Sequence, residues 1–273
     1  MNESSIEKQP IFKIETLKGP NCGEVSYYPD YGVIFSVKLN GKEVLHFDKA
    51  MFEEKKGRVK GGIPPLFPNA GPITENTNFP GLPQHGFARD SKWQTEKIVN
   101  GFRMNLFANE ETKKMYPYNF IFSTSGVFND DGSFTLIQEV ENLEDKKDMP
   151  VSFGLHPYFK VPNEEKNNIK FNFEGGKFIE ENIEVWANGK AISVDNPKTK
   201  DPSAIIEISV PSIGKLVIDA SVEYKKIWVW SMKDKDFICI EPVMRDKNGL
   251  VDDPEKVKPK ATFLSNVNIK LLE

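Results

Sequence analysis

Apolar and polar residues alternate with a period of two along most of the chain, which is the pattern of β-strands that bury one face. The 3.6-residue repeat of a long amphipathic helix is absent; the nearest candidate is 48–57, where Asp48 is placed to cap a short helix that Gly57 would end. The pattern therefore predicts a mainly β protein. The predicted strands, rich in β-branched and aromatic residues, cover residues 12–17, 33–39, 102–107, 120–128, 134–140, 169–173, 215–224, 226–232, 237–243 and 267–272.

Four dipeptides beside these runs are typical of tight turns. They are Asn40-Gly41, Asn100-Gly101, Asn188-Gly189 and Asp131-Gly132. Both central residues of a type I′ turn need positive φ, which Asn, Asp and Gly tolerate better than other residues. The dipeptides therefore predict β-hairpins and antiparallel strand pairing.

The organisation of the chain favours one large domain. No repeat of 20–50 residues and no Ser/Gly linker divides the 273 residues, a length that single all-β domains reach. We expect residues 1–273 to fold as one large antiparallel β-sandwich with few short helices, because many strands and long loops favour layers over a small closed barrel. The longest stretches without strand pattern, 57–85 and 242–262, are rich in Pro and Gly. Such loops on a β scaffold commonly carry functional sites.

Charge and composition exclude several classes of protein. A formal charge of −4 and a pI of about 5.6 give no bulk attraction to nucleic acid or an anionic membrane. The short basic clusters at 55–60 and 225–226 have acidic neighbours and are interpreted as solvated surface. No apolar stretch is long enough to span a membrane, and the first residues lack a signal-peptide pattern, so the expected compartment is the cytoplasm. Cys22 and Cys239 make no disulfide framework, and Cys239 is expected to be buried in a strand.

Three short segments combine a titratable side chain with a restricted backbone. A residue before proline is pushed into extended conformations, which applies to His156 and to Glu241. The glycine after His85 permits a tight bend. An imidazole and a carboxylate held in this way are suited to general acid–base catalysis. The segments are QHGFARD (84–90), SFGLHPYF (152–159) and FICIEPVMRD (237–246).

Other interpretations of the same residues stay open. A histidine among aromatic residues is often only packed and hydrogen-bonded, and a glutamate at a strand end often lies at a rim. Two histidines and one carboxylate also form a known metal-ligand set, although no short His-x-His or His-x-x-x-His pair occurs. The G-x-S-x-G elbow of serine hydrolases and the glycine-rich loops of nucleotide-binding proteins are absent, so neither class is indicated.

The order of these motifs resembles that of the aldose 1-epimerase (galactose mutarotase-like) family. HGFARD, GLHPYF and IEP follow one another as in that family, and GGIPPLFPNAG at 61–71 resembles a loop of its hexose-6-phosphate mutarotase branch. The four motifs span residues 60–245. Each alone is modest, but the four in order are specific. The β-supersandwich of the family agrees with the predicted hairpins.

The resemblance implies a role for three side chains. His156 matches the family's acid, Glu241 its base, and His85 the histidine that orients the substrate. In the implied reaction, the base takes the proton of the anomeric hydroxyl while the acid protonates the ring oxygen. The open aldehyde then rotates about C1–C2 and recloses on its other face. The reaction requires no cofactor and no metal.

The implied substrate is a sugar or a sugar phosphate. Arg89 matches the arginine that follows the first histidine of the motif, whereas Lys60 stands where an arginine is often found and Val243 where an aromatic residue is often found. A lysine keeps the charge but loses the bidentate fork, so both a free hexose and a hexose 6-phosphate held by Lys60 and Arg89 stay open. Four aromatic side chains could form a wall for the sugar or pack in the core: Phe67, Phe87, Tyr158 and Phe159. Of these, Phe87 and Tyr158 are selected as substrate-binding residues, together with His85, Arg89 and Lys60.

Two functions therefore stand beside the mutarotase of a free hexose. One is a hexose-6-phosphate mutarotase, and the other is a non-catalytic carbohydrate-binding protein on the same fold, because a fold does not fix a function. The presence of both His156 and Glu241 favours catalysis, since simple sugar binding needs no acid and base. In either case the expected partner is a small molecule rather than nucleic acid or a membrane.

Overall fold

The structure, a computed structural model, describes residues 12–54, 60–74 and 77–272. Regular structure within these ranges consists of twenty strands, five short α-helices and three 3₁₀-helices, the last at Ala88–Asp90, Asn163–Asn168 and Pro197–Thr199. The strands are β1 (Glu15–Lys18), β2 (Glu24–Tyr28), β3 (Val33–Leu39), β4 (Lys42–Glu43), β5 (Pro65–Leu66), β6 (Gln94–Ile98), β7 (Gly101–Phe107), β8 (Phe120–Phe128), β9 (Phe134–Asn142), β10 (Met149–Val151), β11 (Gly154–Leu155), β12 (Tyr158–Lys160), β13 (Lys170–Phe171), β14 (Ile192–Asp195), β15 (Ile206–Val210), β16 (Gly214–Ala220), β17 (Lys226–Trp230), β18 (Phe237–Val243), β19 (Glu255–Val257) and β20 (Thr262–Leu272). The helices are α1 (Lys49–Glu54), α2 (Glu110–Met115), α3 (Gly176–Glu181), α4 (Ile183–Trp186) and α5 (Gly249–Asp252).

The strands form antiparallel sheets, as the sequence predicts. The largest has eight strands in the order β13-β15-β16-β20-β9-β8-β7-β6. A second has the order β14-β17-β18-β11-β5, with β12 also paired to β18. Strands β1 to β4 form a third sheet, and β10 pairs with β19. The predicted fold class, a large antiparallel β-sandwich with few short helices, is confirmed.

Strand β18, the central strand of the second sheet, is buried on both faces. All seven residues of β18 are buried. Ile238 and Ile240 belong to the main hydrophobic core, whereas Cys239 lies in a separate cluster with Tyr158. Because alternate side chains of a strand point to opposite faces, Glu241 shares the face of Cys239 and points away from the main core.

The predicted strands match the observed ones best where the apolar run is long. The runs at 33–39, 120–128 and 237–243 coincide with β3, β8 and β18. The run at 215–224 is wrong in its last four residues, because β16 ends at Ala220. Tyr224 instead buries its ring and donates its hydroxyl hydrogen to Gln138 at 2.8 Å.

The four turn dipeptides do not all form the hairpins that the sequence predicts. Asn40-Gly41 has two positive φ angles, 50° and 76°, and joins β3 to β4 as predicted. Asp131-Gly132 lies in the predicted turn between β8 and β9. Asn100 has positive φ, but Gly101 already begins β7. The hairpin predicted at Asn188-Gly189 is wrong: Gly189, with φ of 92°, follows the end of α4, where glycine is favoured for its left-handed conformation.

The predicted short helix is confirmed as α1. The backbone N–H of Met51 donates to Oδ1 of Asp48 at 2.9 Å, which is the expected N-terminal cap. Gly57, the predicted end, lies outside the described residues. Among the helices that the structure describes, none combines the length and the apolar character needed to cross a membrane.

A strained turn holds His85 against the loop that follows β5. His85 and Gly86 both have left-handed backbones, with φ of 70° and 64°. A Cβ on Gly86 would lie 1.9 Å from the carbonyl oxygen of Phe67. That carbonyl also accepts the N–H of Phe87 at 3.0 Å. A non-glycine residue with positive φ is uncommon and costs free energy, which is typical of functional sites.

The replacement Gly86→Ala tests this turn, and Gly81→Ala is its matched control. Gly81 also has positive φ, 68°, but an added Cβ would meet no atom within 4 Å. Both variants place alanine in a left-handed conformation, which costs about 1–2 kcal/mol, whereas only Gly86→Ala must also displace backbone. We expect Gly86→Ala to lower the free energy of unfolding in urea by about 3 kcal/mol or more. Equal losses in the two variants would contradict the close contact with Phe67.

Candidate active site

One cavity of about 1020 Å³ lies on the Glu241 face of the second sheet. Although they are far apart in sequence, six of the seven residues selected from the sequence line it. The lining contains Lys60, His85, Arg89, His156, Tyr158 and Glu241. The three motifs selected from the sequence thus meet at one place.

The floor of the cavity is formed by side chains of three neighbouring strands, β12, β18 and β17. On β18, Glu241 pairs with Trp228 of β17. Cys239, two residues earlier, pairs with Trp230 of β17 on one side and with Tyr158 of β12 on the other. Side chains two residues apart point to the same face, so the aromatic rings flank the carboxylate and the thiol.

His156 and Glu241 form a buried pair in this floor. Nε2 of His156 lies 3.5 Å from Oε1 of Glu241, and the residues are only 6% and 2% exposed. The backbone N–H of His156 donates to the carbonyl of Pro64 at 3.3 Å, which fixes the chain between β11 and β12. The ring of His156 stacks on Tyr158 with centroids 4.6 Å apart and planes 4° from parallel.

Burial sets the protonation of this pair. It raises the pKa of the Glu241 carboxyl well above its usual range. It also lowers the pKa of His156 well below its usual range, and nearby His85 and Arg89 add to that effect. Because a net charge is costly in a buried site, the favoured state of the pair is neutral overall and holds one titratable proton. The pair titrates as a unit rather than as two independent groups.

Two polar atoms of the pair lack a partner among the described residues. They are Nδ1 of His156 and Oε2 of Glu241. A buried polar atom without a hydrogen bond costs about 1–3 kcal/mol. Such a cost is unusual for a side chain that has only a structural role. Each of the two side chains therefore keeps one polar atom that can form a hydrogen bond with a ligand.

His85 is held as a neutral imidazole. Its Nδ1 lies 2.6 Å from the carbonyl oxygen of Ala70, so Nδ1 carries the proton and donates it. Burial, helped by Arg89, lowers the pKa of His85 to about 4. Nε2 is therefore an acceptor at neutral pH, and it lies 3.2 Å from the side-chain nitrogen of Gln84.

The aromatic wall differs from the one predicted. Phe67, Phe87 and Phe159 belong to the main hydrophobic core, and Phe87, only 5% exposed, packs against Phe67. Phe87 therefore does not line the cavity, which corrects its selection as a substrate-binding residue. Of the four predicted aromatic residues, Tyr158 alone is in the lining.

Trp228 and Trp230 supply the rest of the wall. The indole N–H of Trp228 donates to Oδ1 of Asp246 at 2.8 Å, and the hydroxyl of Ser193 donates to the same oxygen at 2.6 Å. The sequence contained a signal for this wall, since the two tryptophans alternate on one face of a predicted strand. It did not indicate that this face borders a cavity.

Lys60 and Arg89 lie where the large cavity meets a second one of about 510 Å³. Both residues line both cavities, and Lys235 and Asp48 also line the smaller one. Nζ of Lys60 lies 5.3 Å from the centre of the Trp230 ring. Among the described residues, the arginine ion pairs are those of Arg103 and Arg245, and none includes Arg89.

The potential metal ligands of the site differ from those considered in the sequence. Among the described residues, His156 and Glu241 are grouped with Cys239 rather than with His85; their ligand atoms lie within 4.8 Å of one another. Cys239 is fully buried beside the lining.

Comparison with solved structures agrees with the observed architecture. The Slr1438 protein of Synechocystis sp. PCC 6803 has a TM-score of 0.81 and 24% identity, with 99% of each chain covered. A galactose mutarotase related enzyme from Lactobacillus acidophilus has a TM-score of 0.76 and 18% identity, with 96% of this chain and 98% of that chain covered. At these identities the likeness shows the fold.

Sequence comparison identifies the family. The protein of Escherichia coli (strain K12) named "Putative glucose-6-phosphate 1-epimerase" is 29% identical over 162 residues, which are 53% of this chain and 50% of that protein. The chain thus spans about half the length of the curated relatives it matches. The family profile described as Aldose 1-epimerase matches residues 32–265, a range that includes every residue selected for the site. The chain therefore belongs to the aldose 1-epimerase family.

Proposed function

We propose that the protein is an aldose 1-epimerase that interconverts the α and β anomers of a hexose by opening and reclosing the sugar ring. The observation that carries the proposal is the buried pair of His156 and Glu241 in the floor of an aromatic-walled cavity. A titratable pair with shifted pKa values in a cavity is a mark of acid–base catalysis. A protein that only binds sugar has no need of such a pair.

The proton content of the pair suits the reaction. A carboxylic acid beside a neutral imidazole and a carboxylate beside an imidazolium hold the same number of protons. In the second form, Glu241 takes the proton of O1 while His156 donates its proton to the ring oxygen, so that the C1–O5 bond breaks and O1 becomes the aldehyde oxygen. After rotation about C1–C2, the two groups reverse their roles and reclose the ring.

Other lining residues are assigned to binding. His85 offers Nε2 as an acceptor for a sugar hydroxyl, because its Nδ1 is committed to Ala70. The rings of Tyr158, Trp228 and Trp230 offer apolar surface to the C–H face of a pyranose. This division leaves the acid and base free for proton transfer at C1 and the ring oxygen.

A hexose 6-phosphate is the second candidate substrate. Lys60 and Arg89 border both cavities, and Arg89 has no ion pair with a described carboxylate, so the two cations could bind a phosphate that extends from the sugar. The name of the Escherichia coli relative, which matches about half of its own length, agrees with this substrate class. Lys60 would act as a point charge rather than as a bidentate fork.

The variant Glu241→Gln tests the proposed base. The amide keeps the shape of the side chain but cannot accept the O1 proton, so the rate of anomer exchange should fall about 10²–10⁴-fold. Sugar affinity should change much less, because a weakened neutral hydrogen bond costs about 0.5–1.5 kcal/mol. Exchange is measured by saturation-transfer NMR, and affinity by calorimetry on the same sample. His156→Asn should behave in the same way.

The matched control for Glu241→Gln is Glu110→Gln, the same chemical change at a side chain that is 91% exposed. It should keep the wild-type rate. Near wild-type exchange by Glu241→Gln, with a native circular dichroism spectrum, would show that Glu241 is not the base.

Lys60→Ala separates the two substrate classes. If Lys60 binds a phosphate, its loss removes a charge-assisted contact of about 1.5–3 kcal/mol, so KM for a hexose 6-phosphate should rise about tenfold or more. KM for the free hexose should stay within about twofold of the wild-type value. The control is Lys177→Ala, at a side chain that is 89% exposed, and both of its KM values should also stay within that limit. An equal rise for the two sugars in Lys60→Ala would exclude Lys60 as a phosphate ligand.

A further inference from the structure

Cys239 is a buried group that the proposed mechanism does not use. It lies on β18 two residues before Glu241, on the same face, and between the paired residues Tyr158 and Trp230. Its Sγ lies within 4.8 Å of the ligand atoms of His156 and Glu241. The sheet therefore brings a sulfur, a nitrogen and an oxygen donor together at one buried point.

The donor set fits a borderline-soft divalent cation. Zinc binds cysteine sulfur, histidine nitrogen and carboxylate oxygen, whereas magnesium and calcium prefer oxygen ligands alone. Ligand atoms on a tetrahedral zinc ion lie about 3.3–3.8 Å apart for ordinary bond lengths. The 3.5 Å between Nε2 of His156 and Oε1 of Glu241 falls in this range, and Sγ of Cys239 lies within 4.8 Å of the other two ligand atoms.

Two further observations point to a ligand at this place. Oε2 of Glu241 is buried without a partner among the described residues, so it is available to an ion that Oε1 binds. A thiolate and a carboxylate with a neutral imidazole carry a charge of −2, which balances a divalent cation, so the complex would be neutral in a buried site. The fourth coordination position of the ion would face the cavity that His156 and Glu241 line.

We propose that His156, Cys239 and Glu241 form a binding site for Zn²⁺, and that the bound ion inhibits the protein rather than serving its chemistry. A coordinated thiol loses its proton, and the His156–Glu241 pair gives up the proton that it holds, so binding releases two protons to the buffer. The ion occupies the lone pairs that proton transfer needs. Only the inhibition rests on the proposed epimerase function; the binding site does not.

The variant Cys239→Ala tests the site, with Cys22→Ala as its matched control. Cys22 is exposed, and it is the one other cysteine of the chain. Calorimetry with Zn²⁺ should give one ion per chain for the wild type and for Cys22→Ala. Affinity should fall more than about 100-fold in Cys239→Ala, since even indirect partners of metal ligands cost 10–100-fold. Equal affinity in the wild type and Cys239→Ala, or no binding at micromolar Zn²⁺, would overturn the proposal.

Cobalt provides a readout that needs neither the variant nor enzymatic activity. Co²⁺ bound to the wild type should show a thiolate-to-metal charge-transfer band in the near ultraviolet and the strong visible absorption of a four-coordinate ion. Bound Co²⁺ without a thiolate band would overturn the assignment of Cys239, even if Cys239→Ala does not fold.

Anomer exchange provides the functional readout. Zn²⁺ should slow exchange by the wild type and by Cys22→Ala, and should spare Cys239→Ala at the same free concentration. Inhibition of all three proteins to the same degree would overturn the inhibitory role. If no sugar is epimerised while the cobalt band is present, the proposed function fails and the metal site stands.

Discussion

The site depends on one constraint, the burial of strand β18 on both faces. One face holds isoleucines of the main core, and the other holds Cys239 and Glu241 under an aromatic cover. A carboxylate fixed there next to His156 loses most of its contact with water. Desolvation then raises its pKa and lowers that of the imidazole. The same packing that stabilises the sheet therefore desolvates the proposed acid and the proposed base.

The sequence predicted the parts of this arrangement that depend on local rules. Runs of apolar and β-branched residues predicted β3, β8 and β18 residue for residue, and proline after His156 and Glu241 marked two side chains on extended backbone. These rules state which residues share a face of a strand. Together with the family resemblance, they were sufficient to select six residues of the cavity lining.

The remaining features depend on what covers each face, which alternation does not specify. Phe87 and Trp228 are both aromatic and both largely buried, yet Phe87 packs in the main core and Trp228 borders the cavity. Asn188-Gly189 has the sequence of a hairpin turn but follows a helix, because the segment before it packs as α4. Cys239 was predicted to be a buried small side chain, and only the pairing of β12, β18 and β17 reveals the donors around it.

The central claim is that His156 and Glu241 together hold one proton when the proposed reaction takes place. The pH dependence of kcat/KM for anomer exchange, corrected for spontaneous mutarotation, tests it most directly. Gain of a second proton inactivates the pair on the acid side, and the lowered pKa of His156 moves this limb below the usual imidazole range. Loss of the single proton inactivates it on the alkaline side, and the raised pKa of Glu241 moves that limb above the usual carboxyl range. We predict a bell-shaped profile in the wild type; a rate that rises through one titration at the usual carboxyl pKa and never falls would contradict the account.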